Sequence, residues 1–157
     1  MVRNFNNAKF WFVSLKSFFI ILEITFSIIN KIWNNFPISP NTQVIPLRLF
    51  IQETLRRSKT SWSTLKTALI YLMRIKAQIN QIKKINRTDP AICGRRMFLA
   101  SLIIASKYLQ DRSYANNAWS KICGLAVQEI NDIERRFLNL VDYNLFIRED
   151  VYKNFII

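Results

Sequence analysis

The amino-acid sequence predicts an all-α fold, with five helices bundled around a central buried helix and a further helix at the N-terminal end. Half of the 157 residues are apolar, which is enough to form a core. The chain has only two Gly and four Pro, so turn-rich β folds and glycine-looped nucleotide folds are disfavoured. Apolar residues recur every three or four positions over long segments, the spacing of amphipathic helices.

Residues 1–40 form a predicted extension, rich in Phe, Ile, Trp and Asn. Their apolar positions between residues 15 and 33 predict one amphipathic helix. Lys16, Glu23 and Lys31 interrupt the run, whereas a membrane span needs about 20 mostly apolar residues. The charges and the bulky residues that follow also disfavour a signal peptide. A membrane-surface role for residues 10–33 stays open as an alternative.

Residues 41–157 form the predicted main domain, and Pro37 and Pro40 mark its boundary. A first helix is predicted from Pro46 through the basic pair at residues 56–57. The second is expected to begin at Ser61 or Ser63, which can cap its free amides, and to run to about Lys83.

The third predicted helix contains no charged residue from Met97 to Ala105, and Ser101 is its one polar member there. A helix that is apolar on all sides must be enclosed on all sides, so this one is expected at the centre. Two more helices are predicted, at residues 117–123 and from 127 to about 142. The inward stripe of the last one is Val127, Ile130, Ile133, Phe137, Leu140 and Val141.

Several function classes are disfavoured by composition. The chain has no His, the commonest general base and metal ligand, and two Cys are too few for a disulfide framework or a four-ligand zinc site. We therefore expect no catalytic residues, no metal and no cofactor. The net charge of +13 could attract nucleic acid. Because the basic residues occur as scattered pairs without interleaved aromatic residues, the pattern disfavours direct nucleic-acid binding as the function.

Three segments resemble the cyclin box, and specifically that of the PCL group of fungal cyclins. The resemblance covers about residues 44–148. The apolar helix ends in Ala-Ser-Lys followed by an aromatic residue. A later helix has Glu near its middle and is followed by an aromatic-x-Leu sequence. The segments are FIQETLRRSKTSWSTLKTALIYL, GRRMFLASLIIASKYLQDRSYANNAWSKICGL and EINDIERRFLNLVDYNLFI.

The resemblance implies a single cyclin box and a non-catalytic regulatory subunit. Its expected partner is a cyclin-dependent protein kinase, which it would bind as a heterodimer and activate by positioning the mobile helix and activation loop. PCL-group kinship implies a kinase of the phosphate-response type, roles in G1 progression or nutrient signalling, and a location in nucleus and cytoplasm. The first helix lacks the Met-Arg-x-x-Leu-x-x-Trp pattern with which many cyclins dock substrates.

Carried over by position, the resemblance also implies a kinase-binding site. Lys107 and Glu134 match the lysine and glutamate that contact the kinase in cyclins. The expected apolar neighbours and weaker candidates are Leu138, Tyr143, Leu145, Tyr108 and Asp111.

The sequence also allows simpler explanations for these residues. Lys107 could be a helix-end lysine that extends to water, and Glu134 a surface acid paired only with near neighbours. A basic cyclin-box protein that binds DNA is a further alternative, and residues 1–40 could be translated non-coding sequence.

Overall fold

The computed structural model describes residues 15–33 and 44–155. Within these ranges it contains helices and no strand, which confirms the all-α prediction. A short 3-10 turn, Pro90–Ile92, precedes the fifth helix. The helices are α1 (Leu15–Trp33), α2 (Leu47–Ser58), α3 (Trp62–Arg74), α4 (Lys76–Ile85), α5 (Gly94–Leu109), α6 (Asn116–Cys123), α7 (Val127–Leu140) and α8 (Glu149–Asn154).

Helix α5 is the centre of the fold, as predicted. Every residue from Met97 to Ser106 is buried, and α5 packs against α1, α2, α3 and α7. The hydroxyl of Ser101 donates a hydrogen bond of 2.7 Å to the carbonyl of Phe98. This polar group is therefore satisfied within the helix and can be buried without an unpaired donor.

The predicted second helix is in fact two helices. The prediction of one helix reaching about Lys83 is wrong, because the helix is interrupted at Ile75, which separates α3 from α4. Ile75 and Ile79 are both fully buried, and α4 packs against α1 and the 3-10 turn. The apolar spacing continues across the break, which is why periodicity alone did not reveal it.

Helix α1 is the predicted amphipathic helix, and it contributes to the same core as the rest of the described chain. The indole Nε1 of Trp33 donates a hydrogen bond of 2.9 Å to the carbonyl of Ala91. Arg48 of α2 holds Glu23 through two hydrogen bonds of 2.7 and 3.0 Å. The buried residues of α1 are Ile21, Leu22, Thr25, Ile29, Ile32 and Trp33.

Gly94 explains how closely α1 approaches the start of α5. A Cβ at this position would lie 3.1 Å from side-chain atoms of both Ile29 and Trp33. The absence of a side chain there permits the contact. No helix in the described ranges is long and apolar enough to cross a membrane.

Two other sequence-based expectations need correction. Val127 was assigned to the inward stripe of α7, but it is exposed, because it is the first residue of the helix and lies before the part that packs on α5. The apolar or small neighbours of Cys93 and Cys123 in the sequence predict buried thiols. Both are free and half-buried.

Asp89 and Arg136 link the 3-10 turn to α7. The guanidinium donates hydrogen bonds of 3.0 and 2.7 Å to the two carboxylate oxygens, and the amide of Ala91 donates one of 2.8 Å. Burial by itself would raise the pKa of Asp89. The hydrogen bonds from Arg136 and Ala91 outweigh it, and the pKa is lower than the ordinary value.

This shift predicts an acid-sensitive contribution to stability. A carboxyl group whose pKa is lowered on folding stabilises the fold fully above its unfolded pKa of about 3.9, and this contribution is lost as pH falls through the lower folded value. We expect Asp89→Asn to reduce the free energy of unfolding at pH 7 and to reduce it much less near pH 2. Urea unfolding at both pH values measures this. An equal loss at both would contradict the assignment.

Candidate functional site

Lys107 and Glu134 form an ion pair, although 27 positions separate them in the chain. The ammonium nitrogen lies 2.7 Å from Glu134 Oε1. Lys107 is in the last turn of α5, and Glu134 lies in the middle of α7, which packs along α5. The side chains are 36% and 15% exposed, so the pair lies at the surface but is partly shielded from water.

Asn116, the first residue of α6, completes this cluster. Its Oδ1 accepts a hydrogen bond of 2.8 Å from Lys107, and its Nδ2 donates bonds of 2.7 Å to Glu134 Oε2 and to Asn131 Oδ1. Both carboxylate oxygens of Glu134 are therefore occupied. The ammonium group of Lys107 has three donors, and two of them are used here. One donor remains for a partner.

The chain beyond Lys107 presents apolar surface. Tyr108 and Leu109 are large and exposed, and both follow directly on the lysine at the end of α5. Asp111 is exposed too and has no ion pair within the described part of the chain. Tyr108 is also close enough to Tyr71 to affect its ionisation. This places the end of α5 beside α3.

The end of α7 turns sharply. Asp142 and Tyr143 both have left-handed backbone conformations, with φ of 55° and 54°, which are unfavourable for most residues other than Gly, Asn and Asp. The amide of Tyr143 donates a hydrogen bond of 2.9 Å to the carbonyl of Leu138, satisfying one of the free carbonyls at the helix end. The turn leaves the Tyr143 side chain 60% exposed.

Two side chains of α3 hold the segment that follows, residues 144–147. The hydroxyl of Tyr71 donates a hydrogen bond of 2.8 Å to the carbonyl of Leu145. Arg74 donates bonds of 2.9 and 2.7 Å to the carbonyls of Asn144 and Phe146. Burial, with a smaller contribution from Tyr108, raises the pKa of the Tyr71 hydroxyl, which therefore remains protonated and able to donate.

Arg74 is expected to fix this segment. In Arg74→Met both charge-assisted hydrogen bonds are lost, each worth about 1.5–3 kcal/mol. We expect greater backbone mobility at residues 144–147, measured by nuclear magnetic resonance relaxation, and a lower free energy of unfolding. Arg135→Met is the control, because Arg135 is exposed and, in the described part of the chain, its ion pair is with Asp132 on its own helix. Unchanged mobility in Arg74→Met would contradict this role.

We call the exposed ends of α5 and α7, with the segment after α7, the α5–α7 surface. Two predicted apolar residues, Leu138 and Leu145, are only partly exposed because they pack against the core. Three neighbouring residues were not predicted from the sequence as part of this site: Phe146, which is 66% exposed, Leu109 and Asn116. The surface consists of Lys107, Tyr108, Leu109, Glu134, Leu138, Tyr143, Leu145 and Phe146.

This surface combines one ion pair with exposed apolar groups. Its one acid is held by a lysine and an asparagine, and its other prominent groups are apolar. Within residues 15–33 and 44–155, no group of His, Cys, Asp or Glu side chains could hold a metal ion.

The helices pack around the buried middle of α5, and the Lys107–Glu134 pair lies at the end of that helix. The family model described as Cyclin matches residues 35–145. The chain belongs to the cyclin family.

Individual relatives narrow this assignment. The chain is 38% identical over 108 residues to the G1/S-specific cyclin pas1 of Schizosaccharomyces pombe, covering 69% of this chain and 26% of pas1. It is 30% identical over 133 residues to PHO85 cyclin-5 of Saccharomyces cerevisiae, covering 85% of this chain and 57% of that protein. For Cyclin-U2-1 of Arabidopsis thaliana the identity is 28% over 109 residues, with 69% and 47% covered.

The similarity to PHO85 cyclins confirms the predicted resemblance to the PCL group. The chain spans between 26% and 57% of the length of these three relatives.

Proposed function

We propose that this chain is the regulatory subunit of a cyclin-dependent protein kinase of the PHO85 type and that it binds the kinase through the α5–α7 surface. The observation that carries the proposal is the Lys107–Glu134 pair, held by Asn116 and flanked by exposed apolar side chains. Family membership and the names of the PHO85 cyclins support the choice of partner.

The mechanism follows from what a protein kinase needs. Its active state requires a lysine–glutamate ion pair, with the glutamate on a mobile helix, and a correctly placed activation loop. A rigid partner that binds only the assembled arrangement shifts the kinase population towards it, by no more than its difference in affinity for the two states. The buried α5 supplies a rigid base for such a partner surface.

The surface has two features of a protein-binding site. The cluster fixes Lys107 in one position before binding, so little side-chain entropy remains to be lost on association. Tyr108, Tyr143 and Phe146 are large aromatic groups exposed to water, and aromatic anchors are enriched among the residues that dominate binding energy.

Calorimetric titration with a PHO85-type kinase, together with its activity assay, tests the proposal. We expect saturable binding, stimulation of phosphoryl transfer, and weaker binding by Phe146→Ala. Phe19→Ala is the matched control, because Phe19 is a similarly exposed phenylalanine on α1. Wild-type affinity in Phe146→Ala, or equal weakening in the control, would contradict the proposed surface.

The same purified chain can be tested for the two alternative functions, DNA binding and membrane-surface binding. A DNA-binding protein would bind duplex DNA with an affinity that falls steeply with salt, and it would not bind the kinase. A membrane-surface protein would float with anionic vesicles through residues 10–33. We expect no flotation, because the buried face of α1 packs in the core. We expect no such DNA binding, because the basic residues occur as scattered pairs.

A further inference from the structure

A pocket lies on the other side of the α5 end from Glu134, between the end of α2, the start of α3 and the loop before α6. Its volume is about 330 Å³, within the usual range for small-ligand sites. The lining consists of Ser58, Lys59, Thr60, Thr64, Ser106, Gln110, Arg112, Tyr114 and Trp119. Lys59 and Arg112 are cationic, and no acidic residue lines the pocket.

Four donors of this pocket have no acceptor in the described part of the chain. The side chains of Lys59 and Arg112 have no ion pair or hydrogen bond there, and neither has the hydroxyl of Tyr114. The indole Nε1 of Trp119 is buried and also lacks a partner. Trp119 is 1% exposed, and its ring packs edge-on against Tyr114 with centroids 5.8 Å apart. A buried unpaired donor is uncommon and needs an explanation.

Within the described residues, the positive charge at the pocket is not balanced by a nearby carboxylate. Eight acidic side chains each lie within 4.0 Å of a basic group, including partly buried ones such as Asp89 and Glu134. The two cations at the pocket lack such a carboxylate. Lys59 also has a left-handed backbone conformation, with φ of 51°, and this residue caps α2 at the pocket rim.

We propose that this pocket binds a phosphate oxyanion, either free phosphate or the phosphate monoester of a phosphorylated serine or threonine. A guanidinium binds such a group through two parallel hydrogen bonds, and an ammonium adds a point charge. The amide of Gln110 is available as a further donor, because its bond to Thr64 is long, at 3.4 Å. Ser58 and Thr60 are engaged with each other and with α2, so they shape the wall instead.

This site is separate from the proposed kinase-binding surface. Ser106 and Gln110 face the pocket, whereas Lys107, between them on α5, faces Glu134. The proposed oxyanion site therefore does not depend on kinase binding, and either proposal can be wrong while the other holds.

The full chain, labelled with ¹⁵N at its tryptophan indoles, is titrated with inorganic phosphate and, separately, with a short phosphothreonine peptide and its unphosphorylated form. Ionic strength is kept constant with chloride. We expect a saturable shift of the Trp119 indole resonance with one or both phosphate compounds and none with the unphosphorylated peptide. Response to the peptide alone identifies a monoester site, and an equal response to free phosphate shows that the oxyanion is sufficient.

Arg112→Gln and Lys59→Asn are the test variants. Asparagine tolerates the left-handed conformation at position 59, and each variant is expected to weaken binding about tenfold. Lys121→Gln is the control for net charge, because Lys121 is an exposed cation outside the pocket. No saturable shift with either phosphate compound would overturn the proposal. Equal weakening by Lys121→Gln would do the same, since it would indicate non-specific attraction to the basic chain.

Discussion

Removing residues 1–33 is expected to abolish stable folding of the rest of the chain. Helix α1 buries Ile21, Leu22, Ile29 and Ile32 in the common core, and Trp33 is hydrogen-bonded to Ala91. Burial of each such aliphatic side chain is worth about 1.5–3 kcal/mol, and a whole domain is stable by only about 5–15 kcal/mol. Removal would also expose the apolar groups that α1 now covers.

Circular dichroism and thermal unfolding of the truncated and full chains measure this effect. We expect the truncated chain to show a broad transition or none, and to aggregate. The double variant Phe19→Ser, Ile20→Ser alters only exposed positions of α1 and should unfold like the wild type. A cooperative transition at the wild-type temperature in the truncated chain would show that α1 is dispensable. It would also favour the hypothesis that residues 1–40 are translated non-coding sequence.

Glu134→Ala is expected to give the largest loss of kinase binding among single substitutions that leave the fold intact. Without the carboxylate, Lys107 and Asn116 lose their common acceptor. Truncating one partner of a buried, hydrogen-bonded charge pair at an interface weakens binding by about 2–5 kcal/mol. A calorimetric titration with the kinase should show this loss with an unchanged circular dichroism spectrum.

Glu129→Ala is a closely matched control. Glu129 lies on the same helix and is also paired with a basic residue of α5, Arg96, but at the opposite end of α5 from Lys107. We expect its effect on binding to stay within about 0.5 kcal/mol, as for ordinary surface substitutions. If both variants bound equally well, the α5–α7 surface would not be the kinase-binding site.

The sequence predicted the elements that depend on local pattern. The uncharged run around Ser101 identified the central helix, since no other environment accommodates a helix apolar on every side. Helix α1 was predicted from the spacing of its apolar residues, although Phe19 of the predicted apolar face is exposed. The break at Ile75 was not, because the spacing of apolar residues is the same on both sides of it.

Contacts between distant residues were harder to predict. The resemblance to cyclins brought Lys107 and Glu134 to attention, and the structure places them in contact. Asn116 was missed, because an asparagine at the start of a helix has an ordinary local explanation as a cap or turn residue. Tyr71 and Arg74 were missed because they bind backbone carbonyls 70 or more positions away, which leaves no local signal in the sequence.

The most direct test of the proposed kinase site is the affinity of the kinase for the reversed pair, Lys107→Glu with Glu134→Lys. The side-chain amide of Asn116 can rotate to exchange its donor and acceptor, so the internal ion pair and the fold should survive the reversal. If the pair contacts the kinase, binding stays at least about tenfold weaker than wild type, because each position now presents the opposite charge to the kinase. Recovery of wild-type affinity in the reversed pair would show that the two residues serve only the fold, and would contradict the account.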